Sequence, residues 1–475
     1  AKLPLRHDEP KYGDAVLPVR RYTLRYDVSG TGVADFGGDA RASTELTATF
    51  PVPIDGERVA LTLTRAAERG LVITIVPPMS RDARGSYHRT RLEFEHHDKV
   101  LERAGEERHG LLIDSYFGEV ASCNGVGVHH ELRRRGATMP VYWAVKDYSV
   151  GVPEGGIAVI RNSPEWFERL RTAKYFLTNM YQPVYHPKPD GQVIIQTFHG
   201  YPFKVMGHPH WKNLQFSKKR IEAFDERARA WDHLVSPATY ATALLARDFN
   251  YPGDMLEIGY PRNDVLVAPE APQLRASVRA ALGVPEEARA ILYAPTFRDY
   301  LSEDDHTAPM ADLLDTDKLM STLGDDHVLL IRGHAFHART EERPDVADRV
   351  IDVTDYPEPA DLYLASDLAI VDYSSLRFDY GLTGKPMLFL VPDLDLYKQT
   401  RGWLLEYEPT APGPLLSSTD EVAAAIKDLD QIVSEYADAY AAFARDYLDL
   451  DDGKASERFV DAVFVSRGDA PPSAG

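Results

Sequence analysis

Two histidines follow apolar runs at places that suit acid–base chemistry. In VIIQTFHGYPFK the run stops and His199 and Gly200 come at once, with Lys204 shortly after. In HVLLIRGHAFHAR a second run meets Arg332, Gly333 and His334, followed by His337. Imidazole titrates near neutral pH, so a histidine from each of two strand ends, facing one cleft, suits proton transfer. Gly200 allows close backbone approach, and Lys204 favours an anionic substrate. The plainer reading of His199 is a turn residue held by a hydrogen bond. For His337 an exposed polar residue is the favoured reading. His334 and His337 lack an obvious third ligand, so the spacing implies no metal site.

Two further segments offer phosphate chemistry. In LAIVDYSSLRFDY a buried run ends at Asp372, Tyr373, Ser374 and Ser375, and a helix is predicted from Leu376. Serines there either cap the helix or, with its exposed N–H groups, hold a phosphate. In ILYAPTFRD, Thr296, Arg298 and Asp299 follow another apolar run. Arg298 is a candidate for a bidentate phosphate contact, or forms a surface pair with Asp299 worth little. Lys204, Lys212, Lys218, Lys219, Arg220, Arg227 and Arg229, with His208 and His210, make residues 203–229 locally basic. That stretch fits a polyanionic partner or an anionic membrane. It fits a solvated helix face equally well, because Glu222, Asp225 and Glu226 are interleaved.

Such residues need strand ends to position them. At roughly 100–200 residues per domain, the chain of 475 residues predicts about three domains. Residues 1–106 carry short alternating runs rich in Val, Thr, Tyr and Ile, among them ASTELTATFPV, LVITIVPPM and YHRTRLEFEH, and predict a small all-β accessory domain. From 107 to 268, apolar strand-like runs alternate with helical stretches, and from 269 to 475 the pattern repeats and ends in helices. Both read as Rossmann-like domains with parallel sheets, whose ligands sit at the carboxyl ends of strands.

Composition narrows the classes. Asp and Glu number 73 against 53 Lys and Arg, a net charge of -20, which disfavours nucleic acid as a partner. The single cysteine, Cys123, excludes a disulfide framework within the chain. No apolar run reaches about 18 residues and the first residues show no signal-peptide pattern, so a cytoplasmic location is expected. The first residue is Ala, which fits a trimmed chain or a piece of a longer one.

In series, these segments resemble the CDP-glycerol glycerophosphotransferase family, the teichoic acid primases and polymerases of Gram-positive bacteria. QTFHGYPFK is similar to the family's Q-T-W-H-G-T-P-L-K, and RAWDHLVSPATYATALL to its W-D-Y-L-I-S-P segment. GYPRND, APTFRD, LLIRGH, the SDLAIVDYSS block, RGWLLEY and DDGKAS follow in the family's order, and the resemblance covers roughly residues 107–465. Tyr201 and Phe203 replace the family's Thr and Leu, which leaves the polyol and acceptor open.

The resemblance implies a GT-B-like fold, two Rossmann-like domains facing a cleft, with an acceptor-side domain at 107–268 and a CDP-donor-binding domain at 269–475. It implies transfer of a glycerol-phosphate unit from CDP-glycerol to an acceptor hydroxyl, releasing CMP. His199 and His334 become the catalytic pair. Thr296, Arg298, Arg332, Asp372, Ser374 and Ser375 become donor-binding residues, supported by Gly200, Lys204, Arg262, Asn263 and Asp379. No cofactor is required, and a divalent metal is not implied. The implied acceptor is a lipid-linked or polymeric polyol phosphate or glycan, met transiently at the inner face of the cell membrane. The alternatives are a CDP-ribitol-dependent ribitolphosphotransferase, a GT-B glycosyltransferase using a nucleotide sugar, and a non-catalytic module that binds such polymers.

Overall fold

The computed structural model describes residues 6–9, 11–23, 25–30, 33–39, 50–65, 71–80, 83–102, 107–296, 298, 313–333 and 349–471. Contacts divide the chain into two compact units. One comprises Ala1–Ala121, Met139–Phe176 and Pro183–Gln192, and the other Ser122–Thr138, Leu177–Gln182 and Val193–Gly475. This division cuts across the three segments expected from sequence.

The first unit opens with antiparallel strands. Arg6–Glu9 pairs with Gly13–Val16, and Arg25–Gly30 with Val33–Asp39. Arg21–Thr23, Leu71–Val76, Ala60–Arg65 and Val52–Asp55 form a four-stranded sheet in that order, closed by Leu61, Ile73 and Ile75. The expected strand at ASTELTATF falls mostly outside the described residues. The expected strand at YHRTRLEFEH is a correction: Ser86–Glu102 is a helix of 17 residues, so the first segment is not all-β. The alternation that suggests a strand also satisfies helical spacing. Arg89 pairs with Glu93, and Arg91 with Glu95, one turn on, while His96 and Val100 share the buried face. The unit continues with parallel strands, Val141–Val145 pairing with Leu111–Asp114 and Ile157–Ile160.

In the second unit, Val193–Gln196, His233–Ser236 and Met255–Glu257 pair in parallel. A six-stranded parallel sheet follows, in the order Val350–Asp352, His327–Ile331, Arg289–Tyr293, Leu368–Val371, Met387–Leu390, Leu415–Leu416. Its central strands are apolar along their length and buried, as a sheet covered on both faces requires. Ile291, Leu329, Ile370 and Leu388 meet Leu319, Val422 and Ile426 from the covering helices. Tyr293 pairs with both Ile331 and Ile370, so three neighbouring strands end abreast. That register delivers Thr296, Arg332 and Asp372 to one edge of the sheet. The chain ends in helices, and the helix Ala455–Val463 returns to pack on Asn124–Arg134.

Candidate active site

His199 is set by the end of a buried strand. Gln196 closes Val193–Gln196, and its side chain donates to the Met180 carbonyl at 2.8 Å while accepting from the Phe198 N–H at 2.8 Å. Phe198 takes φ 48°, stabilised by stacking on Phe249 at 4.3 Å. The chain therefore turns sharply just before His199. The imidazole Nδ1 donates to the Asn179 carbonyl at 2.9 Å. A carbonyl only accepts, so this bond fixes the tautomer and makes Nε2 the basic atom. The residue is exposed at the surface, yet crowding by the surrounding protein lowers the imidazole pKa, and the charge of Arg262 lowers it further. The bond to Asn179 opposes both.

Gly200 brings two strand ends together. A Cβ on Gly200 would lie 2.7 Å from Ser375 Oγ, so a side chain there would force the Ser375 hydroxyl to turn away. The Gly200 carbonyl accepts from the Tyr260 hydroxyl at 3.2 Å. Two residues on, Arg262 grips Asp379 through Nε at 2.9 Å and Nη2 at 3.0 Å. Its Nη1 reaches Cys123 Sγ at 3.2 Å, and its face covers the Tyr260 ring. Burial raises the pKa of Asp379 and the guanidinium pulls it back, as expected for a buried bidentate pair.

A second cluster lies one turn upstream of Ser375. Asp372 accepts from the Thr296 N–H at 2.9 Å, the Thr296 hydroxyl at 2.5 Å and Arg298 Nη1 at 2.6 Å. Arg298 also binds Asp393 through Nε at 2.8 Å and is fully buried. Ser374 Oγ accepts from the Leu376 N–H at 3.2 Å, capping the turn, whereas the Ser375 side chain makes no cap. The two hydroxyls therefore differ: one organises the turn and the other faces Gly200.

With this geometry in view, comparison with known proteins decides the family. Residues 101–465 match the sequence model of the family described as CDP-Glycerol:Poly(glycerophosphate) glycerophosphotransferase. The chain belongs to this family. It is 32% identical over 374 residues to a teichoic acid poly(glycerol phosphate) polymerase of Bacillus subtilis, matching 77% of this chain and 50% of that protein. It is 30% identical to a Staphylococcus aureus teichoic acid glycerol-phosphate transferase, over 74% of this chain and 92% of that one. The chain spans about half the length of the polymerases it matches first. Among solved structures, the wall teichoic acid polymerase TagF superposes with a TM-score of 0.70 at 28% identity, over 80% of this chain and 97% of that one. A histidine-to-asparagine variant of TagF soaked with CDPG superposes at 0.69 with 27% identity.

Against the family's expectations, the structure brings His199, Gly200, Arg262, Asp379 and Ser375 together, and Thr296, Arg298, Asp372 and Ser374 beside them. His334, His337 and Asp299 lie outside the described residues. Arg332 donates to the Val353 and Tyr356 carbonyls at 3.3 and 2.7 Å. Lys204 donates to the Tyr397 hydroxyl at 3.1 Å and pairs its backbone with Trp403. Arg298 is buried and forms no surface pair. Its guanidinium is enclosed by two carboxylates, one of which, Asp393, sequence reasoning missed. Tyr201 and Phe203 are buried, stacked on Phe378 at 4.9 Å and Trp403 at 5.5 Å, so these departures from the family lie in the core. Asn263 faces Tyr201 and Asp451 rather than solvent. In the basic stretch, the helix Lys218–Ala230 exposes Lys218, Lys219, Arg220 and Arg229 alongside Glu222 and Glu226. Among the described residues no cluster of His, Cys, Asp and Glu could hold a metal ion, and no helix is long and apolar enough to cross a membrane.

Proposed function

We propose that this chain transfers a glycerol-phosphate unit from CDP-glycerol to an acceptor hydroxyl, releasing CMP. The observation that carries the reading is the His199 tautomer, fixed by Asn179, beside the Gly200–Ser375 approach in a member of this family. His199 Nε2 takes the proton of the acceptor hydroxyl as its oxygen attacks the β-phosphorus. The phosphoanhydride bond breaks and CMP leaves with the bonding electrons. To His334 we assign, on the family resemblance alone, a hydrogen bond to the departing phosphate. Ser375 and the turn built by Ser374 receive the pyrophosphate. Thr296, Arg298 and Asp372 are positioning residues that hold this turn, and Arg262, oriented by Asp379, sets a guanidinium near His199. TagF soaked with CDPG supports a CDP-linked donor. We place 107–268 on the acceptor side and 269–475 on the donor side, and the acceptor as a polyol-phosphate chain, lipid-linked at the inner membrane face.

The test is CMP release from the purified chain with CDP-glycerol and CDP-ribitol side by side, given a glycerol-phosphate acceptor analogue. Release with CDP-glycerol that His199→Ala abolishes supports the proposal. Release with CDP-ribitol alone changes the polyol, and reaction with nucleotide sugars alone overturns the class.

A further inference from the structure

The turn carrying His199 is not held by its own strand alone. Asp451, which lies 250 residues beyond Tyr201 in the chain, is buried and accepts from the Tyr201 hydroxyl through Oδ2. The same oxygen accepts from Asn263 Nδ2 at 3.2 Å, and Oδ1 accepts from the Tyr260 N–H at 3.0 Å. Tyr260 in turn donates its hydroxyl to the Gly200 carbonyl. Both residues that follow His199 are thus tied to one carboxylate, Tyr201 directly and Gly200 through Tyr260.

The carboxylate is itself clamped. Arg458 binds Asp452 at 2.8 Å and the Ile258 carbonyl at 2.8 Å, and it also holds the Leu450 carbonyl at 2.5 Å. Asp264 accepts from the Ala455 and Ser456 N–H groups at 2.9 and 2.7 Å. A Cβ on Gly259, which has φ +82°, would lie 2.9 Å from Asp451 Oδ1, so the approach requires glycine there.

We propose that Asp451, acting through Tyr201 and Tyr260, is the positioning residue that fixes the His199 turn. The Tyr201 hydroxyl makes the direct tie and Tyr260 the indirect one. Around Asp451 stand Tyr201, Tyr260, Asn263, Arg458 and Asp452. Burial raises its pKa, which accords with a carboxyl enclosed by protein and bonded by neutral donors.

The inference rests on the proposed role of His199, and its test reads the two separately. Tyr201→Phe keeps the ring stacked on Phe378 and removes only the hydroxyl. Asp451→Asn replaces the carboxyl by an amide that no longer titrates. A displaced base lowers turnover and leaves donor affinity alone, so kcat falls by about 10- to 100-fold with KM for CDP-glycerol unchanged. Independently of activity, the ¹⁵N resonances of His199, assigned through His199→Gln, shift in both variants. Unchanged kcat and unshifted His199 resonances in folded Tyr201→Phe overturn the inference. If the unsubstituted chain transfers no polyol phosphate while the resonances still shift, the positioning stands and the proposed reaction fails.

Discussion

Arg298→Met separates three roles for one side chain. A surface pair with a carboxylate is worth about 0–1 kcal/mol, and its loss is barely measurable. A phosphate contact would raise the donor KM and leave stability alone. The structure instead encloses the guanidinium, fully buried, between Asp372 at 2.6 Å and Asp393 at 2.8 Å. Two unit charges about 4 Å apart attract by roughly 4 kcal/mol at an effective dielectric of 20. Removing the cation forfeits two such attractions and leaves two carboxylates facing each other. Against this, the variant no longer desolvates a guanidinium. Asp372 also keeps three donors, the Thr296 N–H, the Thr296 hydroxyl and the Tyr373 N–H, and Asp393 keeps the Tyr373 hydroxyl. The net is a loss of about 3–5 kcal/mol, the usual result of breaking a buried pair from one side. Urea unfolding followed by tryptophan fluorescence measures it, since Trp403 lies 5.7 Å from the Tyr373 ring. Arg298→Lys does not restore the loss, because an ammonium cannot bridge both carboxylates in the plane of a guanidinium. A loss below about 1 kcal/mol, with a raised donor KM, would refute the argument and return Arg298 to the substrate.

Four other outcomes are expected. The lowered pKa of His199 keeps Nε2 unprotonated as pH falls through 6.5, so the acid limb of kcat/KM, which reports the free enzyme, has its midpoint below that value; a midpoint above 6.5 sinks the assignment of the base. His199→Ala costs about 10²–10⁴-fold in turnover. Asp451, pushed up to about 8 by burial, takes up a proton on folding between its unfolded value of 3.8 and that value. Its contribution to stability is complete below pH 3.8 and is lost as pH rises through 8, at up to about 1.4 kcal/mol per pH unit. Melting curves of Asp451→Asn should be flatter over that window, and parallel curves would count against it. In the helix Ser86–Glu102, Phe94 is 70% exposed and Val100 is 7% exposed. Phe94→Ser should therefore shift stability by about 0.5 kcal/mol or less, and Val100→Ala should cost about 1–2 kcal/mol; the reverse order would favour a strand there.

The legible parts of this protein are those where one physical signal dominates. Runs such as HVLLI and LAIV can only be buried strands, and a glycine beside a histidine at the end of VIIQT marks a close approach. The motif order carried the family. What stayed hidden depends on partners far along the chain. Nothing local to APTFRD says that Arg298 meets Asp393, or that Tyr201 meets Asp451. DDGKAS was visible as a motif, but its carboxylate could not be placed without the fold. The run YHRTRLEFEH suggests a strand because arginine and glutamate alternating with apolar residues fit both a period of two and an i, i+4 ladder. Only the tertiary burial of His96 and Val100 chooses between them.

The tie from Asp451 to Tyr201 also bears on how the protein is made. Translation lays down the His199 turn 250 residues before the carboxylate that anchors it. During that interval the turn has Gln196 and Asn179 but not its distant anchor. A nascent chain therefore lacks this tie until residue 451 has cleared the ribosome, whatever the order in which its sheets form. The same connection defeats modular exchange. A chimera joined at residue 268, taking the C-terminal half from a relative, would carry Tyr201 without a guarantee of its partner, and would need the pair transplanted together.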